Sequence, residues 1–140
     1  MKTKGKSGFT LVELMVVAVI VAILAAVAIP LMSGNKKRAM ATEAEAALGT
    51  VRTALRAMYA ETKAYNVDPN GNTISAGTSV TNIPGVTAAD LEGKYFKASD
   101  YTISAIDANT YTLRCQGSAG EVSGVTITLN QDGVFNRTGL

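Results

Sequence analysis

The chain has 140 residues, the size of one ordinary domain, and only 17% are charged against the roughly 25% of a typical soluble domain, so part of it is expected to avoid water. It has no His and no Trp, and Cys115 is its single cysteine, which excludes His-based acid–base chemistry, His/Cys zinc sites, Cys–His nucleophile pairs and an intrachain disulfide. The net charge of +2 gives no argument for nucleic acid, and neither a catalytic activity nor a cofactor is expected.

Residues 1–8 carry Lys2, Lys4 and Lys6 and no acid, a short basic leader. Residues 9–32 read FTLVELMVVAVIVAILAAVAIPLM, where Glu13 is the one charge, Thr10 the one threonine and Pro30 the one proline. As a helix of 1.5 Å rise these 24 residues reach about 36 Å, enough to cross a hydrocarbon core of about 30 Å. Lys36, Lys37 and Arg38 follow, so three cations stand on each side and the positive-inside rule leaves the orientation open.

Three readings compete for this segment. One is a plain membrane anchor. Another is an ordinary secretory signal peptide cut at the small-residue motif Ala26-Val27-Ala28, although its apolar stretch is long for that purpose and holds a carboxylate. The third gives Glu13 a purpose. A charge at the centre of an inserted helix costs about 2.5–3.5 kcal/mol, less near an interface, and no basic residue lies within a turn of it. A cut between Gly8 and Phe9 would create an amine four residues from Glu13, about 6 Å along the axis. Each of these two charges needs a partner, and each can serve the other within a chain or between neighbouring chains.

Residues 6–15, KSGFTLVELM, resemble the class III signal of bacterial type IV pilins and type II secretion pseudopilins, and close matching covers roughly the first 40 residues. The resemblance implies removal of residues 1–8 by a prepilin peptidase at the cytoplasmic face and N-methylation of Phe9. It also implies pairing of Glu13 with the Phe9 amine of a neighbouring subunit, with Thr10 hydrogen-bonding close to that pair. The implied partners are the lipid bilayer, an inner-membrane assembly platform and other copies of the chain in a homopolymer. The implied location is the inner membrane as a single-pass precursor, then a fibre at the cell surface. Pro30 predicts a kink or helix stop near Ala26. In filaments of such proteins the stretch corresponding to residues 22–30 is expected to lose helicity.

From Met40 the pattern becomes one-sided. Met40, Ala44, Ala47, Leu48, Val51, Leu55, Met58 and Tyr59 follow helical spacing, with Glu43, Glu45, Arg52, Arg56 and Lys63 on other faces. Residues 33–65 therefore form the amphipathic half of the helix, ending near Ala64. Pro, Gly and Asn then crowd a loop that continues to Gly85. Within it Asp68, Asn70 and Asn72 alternate like the start of a calcium loop, but Gly71 falls in the wrong place and no acid closes the motif. A plain turn is expected, with no metal.

Thr87-Ala88-Ala89-Asp90 reads as a variant capping box opening a short helix toward Leu91. Strand character follows at residues 101–106, 111–115 and 125–129, and Asn130-Gln131-Asp132-Gly133 is a hairpin signal leading into residues 134–136. Tyr101, Ile103, Leu113, Val125, Ile127 and Leu129 are the candidates to pack on the helix. Cys115 reads as a buried apolar thiol in its strand. The fold expected is α+β: a long N-terminal helix packed on a small antiparallel sheet, residues 66–140 forming one globular unit with residues 33–65. The function expected is a structural subunit of a type IV pilus. A secretion pseudopilin is the alternative, disfavoured because the C-terminal region offers Asp132 alone where an acidic calcium loop would be needed. More distant is a secreted domain released after Ala28.

Overall fold

The apolar run and the one-sided run after it form one continuous helix. In the computed structural model, which describes Gly5 and residues 8–140, α1 spans Leu11–Thr62. The leader residues 1–4, 6 and 7, and the reading placed on Lys2, Lys4 and Lys6, lie outside the described residues. The chain divides into two compact units, Met1–Asn35 and Lys36–Leu140.

In the first unit the large apolar side chains from Phe9 to Met32 are all exposed, from 51% at Ile20 to 86% at Phe9. The helix stop expected near Ala26 is absent, because α1 continues through Pro30. Proline in a helix interior costs about 3 kcal/mol. Here its neighbours Leu24, Ala25, Ala26, Ala28, Leu31 and Met32 are strong helix formers. The Pro30 carbonyl also accepts a hydrogen bond of 3.0 Å from Ser33 Oγ.

In the second unit α1 buries Met40, Ala44, Leu48, Val51, Leu55 and Met58 of the stripe that its spacing predicts, together with Ala41, and leaves Ala47 and Tyr59 half-buried at the margin. The helix closes at Thr62, two residues before the expected end. Lys63 adopts φ 61°, and its N–H still reaches the Tyr59 carbonyl at 2.9 Å. This left-handed residue ends the helix without a glycine.

Four strands form one antiparallel sheet in the order β1-β2-β3-β4: β1 Tyr101–Ile106, β2 Tyr111–Gln116, β3 Thr126–Asn130 and β4 Phe135–Thr138. The register aligns Ile103, Leu113, Leu129 and Phe135 in one row, and Tyr101, Cys115, Ile127 and Arg137 in the next. These rows face the core, and all six predicted sheet residues are buried. Two strand starts differ from expectation. Val125 is buried but closes the turn before β3, its N–H on the Val122 carbonyl at 2.9 Å. Val134 is 61% exposed and belongs to the hairpin, its N–H held by Asn130 Oδ1 at 2.9 Å.

The stretch before the sheet contributes more to the core than its composition suggests. Ile74, Val80, Ile83, Val86, Leu91 and Phe96 are all buried. Between them the predicted capping box forms: Asp90 Oδ2 accepts from Thr87 N–H at 2.9 Å and from Thr87 Oγ1 at 2.7 Å, opening α2, Ala88–Leu91.

Two acids on α1 tie this architecture together. Glu43 reaches across to residues 94–96, where Oε1 accepts from the N–H groups of Tyr95 and Phe96, each at 2.9 Å, and Oε2 from that of Lys94 at 3.1 Å. Glu45, which finds no partner along the helix, pairs with Arg137, because the register turns Arg137 toward α1.

Candidate assembly site

The apolar half of α1 carries a single charge, Glu13, in its first turn. Leu11–Thr62 contains a segment long and apolar enough to cross a membrane, with mean hydropathy 3.1 over its best 18-residue window and none of that window buried. At the start of the helix Thr10 and Glu13 form a reciprocal cap. Glu13 Oε2 accepts from the Thr10 N–H at 2.8 Å and from Thr10 Oγ1 at 3.0 Å, while the Glu13 N–H donates to Thr10 Oγ1 at 3.2 Å. This is a Thr-x-x-Glu capping box, which satisfies N–H groups that the first turn leaves without helical partners. The carboxylate also lies at the positive end of the helix dipole. Glu13 Oε1 has no hydrogen-bond partner among the described residues.

The structure thus brings Thr10 and Glu13 together and places Gly8 and Phe9 immediately before them, both exposed and outside the helix. Pro30 lies five helical turns away and touches none of them. The intrachain use of Glu13 was readable in Thr10-Leu11-Val12-Glu13.

The loop candidate has a different occupation. Asp68 Oδ1 accepts from the N–H groups of Asn70 and Asn72 at 2.9 and 2.7 Å, and Oδ2 accepts from Asn72 Nδ2 at 2.9 Å. The Asn72 side chain, followed by the backbone N–H groups, holds the Asp68 carboxyl below the ordinary aspartate range. The carboxylate closes its own turn, held by Asn70 and Asn72. Among the described residues no group of three or more potential metal-ligating side chains occurs. Cys115 is completely buried, and burial pushes its thiol up to about 12.

Comparison with known proteins gives these features a family. Residues 3–29 match the pattern described as the prokaryotic N-terminal methylation motif. The chain is 29% identical over 136 residues to a fimbrial protein of Pseudomonas aeruginosa, covering 95% of this chain and 85% of its relative. It is 31% identical to fimbrial protein EcpC of Eikenella corrodens, covering 94% and 80%. With the type IV major pilin protein PilE1 of Neisseria gonorrhoeae it shares 34% identity over 124 residues, 89% of this chain and 67% of the relative. The solved structure of the non-core minor pilin PilV of Neisseria meningitidis is similar at a TM-score of 0.48 and 16% identity, covering 76% of this chain and 90% of the other. The motif at residues 3–29, and identity that extends through the sheet to nearly the whole chain, place it in the type IV pilin family.

Proposed function

We propose that this chain is a non-catalytic building block, cut by a prepilin peptidase between Gly8 and Phe9 and methylated at Phe9. An inner-membrane assembly platform then adds it to a surface filament of identical copies. Before assembly residues 9–32 hold it in the inner membrane. The observation that carries the reading is the surface of residues 9–32, left apolar and uncovered, with one carboxylate in the first turn of α1.

Lipid tails are as apolar as leucine, so moving α1 from lipid to other α1 helices gains little from burial alone. Orientation must come from a directional interaction, and Glu13 supplies one. Its Oε2 is committed to Thr10, and its Oε1 is left for an incoming cation. The methylated amine of Phe9 keeps its positive charge, so a neighbouring subunit delivers that cation when the two helices are in register. Attraction between unit charges grows from about 1 kcal/mol at 4 Å in water to several kcal/mol at lower effective dielectric, so a subunit out of register is penalised.

The capping box and the charge pair are separable by substitution. Glu13→Gln preserves the Thr-x-x-Glu/Gln cap and removes the charge. The variant is expected to give a processed, membrane-resident subunit with few or misregistered filaments, scored by electron microscopy of sheared fibres. Wild-type filament yield from Glu13→Gln would reduce Glu13 to a helix cap. Mass spectrometry of the mature chain tests the processing directly: methyl-Phe9 is expected as the first residue, and any other start refutes it.

A further inference from the structure

Beyond the span, α1 passes a cavity of about 280 Å³ lined by Arg38, Thr42, Glu45, Arg137 and Leu140. We propose that this cavity seats the phosphodiester of an anionic phospholipid headgroup while the subunit waits in the bilayer. The proposal rests on the membrane-held reading given above.

Position is the first support. Arg38 lies six helical residues after Met32, about 9 Å along the axis, and the polar layer on each side of a bilayer is about 5–7 Å thick.

Charge is the second. Lys36 is neutralised by Glu121. Lys37 Nζ donates only to the Gly139 carbonyl, at 3.3 Å, and Arg38 has no hydrogen-bond or ion-pair partner among the described residues. Arg137 gives its Nε to Glu45, which anchors the guanidinium at the cavity wall. Its two terminal nitrogens donate to nothing else among the described residues, and they form the planar fork that suits a phosphate. Glu45 is the acid in the wall, and the bond to Arg137 neutralises it.

The chemistry of the floor is the third support. The Thr42 hydroxyl donates to the Ala39 carbonyl at 2.6 Å and so is already occupied, and Leu140 supplies apolar surface to the lining. Cations at the rim over an apolar floor match a phosphate joined to a glycerol and acyl chain.

The test uses the full chain in detergent micelles carrying equal amounts of phosphatidylglycerol and phosphatidylcholine, with retained lipid counted by native mass spectrometry. At about 1 kcal/mol for each of Arg38 and Arg137, roughly a thirtyfold preference for phosphatidylglycerol is expected. Arg38→Gln is expected to lower it about fivefold. Thr42→Phe fills the cavity without changing charge and is expected to abolish it, circular dichroism verifying the fold of both variants. Lys94→Gln, at a residue that does not line the cavity, serves as the control and leaves the preference intact. Equal retention of the two lipids by the wild type overturns the proposal. So does an undiminished preference in Thr42→Phe, which would assign the attraction to diffuse charge. Displacement of the lipid by millimolar inorganic phosphate reassigns the site to free phosphate and overturns the lipid identification. Flotation with pure phosphatidylcholine vesicles tests the underlying reading separately: a chain that fails to float refutes the membrane-held state itself, whereas one that floats without lipid preference refutes the headgroup site alone.

Discussion

Replacing Glu43 by alanine removes the single acceptor for three backbone N–H groups, those of Lys94, Tyr95 and Phe96. Two of them, on Tyr95 and Phe96, lie in part-buried surroundings. A donor stranded away from water costs about 1–3 kcal/mol, so the two together cost about 3 kcal/mol, and the solvent-exposed Lys94 bond adds little. For a unit of this size about 3 kcal/mol corresponds to a fall in Tm of roughly 12 °C. Thermal unfolding of full-length protein in detergent, followed by near-UV circular dichroism of its tyrosines, measures this. Gly93 supplies an internal check, since a Cβ there would overlap the Glu43 carboxyl group. With Glu43 held by three hydrogen bonds, Gly93→Ala must displace it and destabilise the head; once Glu43 is alanine, the same change no longer meets that carboxyl group. The double-mutant cycle is therefore expected to show a coupling of at least about 1 kcal/mol, the second substitution costing less in the presence of the first. A Tm loss under about 2 °C for Glu43→Ala, or strictly additive effects, would refute the clamp.

Acid stability should depend on three capped turns. Asp90 is held below its ordinary range by Thr87, Asp107 by Thr110 and Asn109, and Asp68 by Asn72 and Asn70. Folded values below unfolded ones mean that this stability is complete above the unfolded range near pH 4 and is lost as pH falls through the folded values, so Tm should drop on acidification. Asp107→Asn should flatten part of that drop in a Tm–pH series. Cys115, with its thiol pushed up to about 12 by burial, should resist iodoacetamide at pH 8 in the folded protein and react fully in denaturant, as read by mass spectrometry. Arg137→Met leaves Glu45 half-buried without its cation and should destabilise the head more than Lys36→Met, whose partner Glu121 is exposed, in urea titrations of the two variants.

Much of this protein was legible in its residue order because the informative signals are local. An unbroken apolar run, the helical stripe from Met40 to Met58, alternation in Tyr111–Gln116 and the Thr87–Asp90 cap each depend on neighbours within a few positions. The helix stop expected from Pro30 does not occur because one proline does not act alone: the surrounding strong helix formers carry the helix through. The loop contributions of Ile74, Val80, Ile83 and Val86 escaped notice because isolated apolar residues among Ser, Thr and Gly have no periodicity to reveal them.

The order of residues by itself determined a membrane-length helix, a lone acid within its apolar run and an antiparallel meander, all of which follow from spacing and composition. Only tertiary structure decided what Glu43, Glu45 and Arg137 do. Glu43 finds its donors 51–53 residues away, and Glu45 finds Arg137 92 residues away. Strand register and packing against α1 create those encounters, and no local pattern records them.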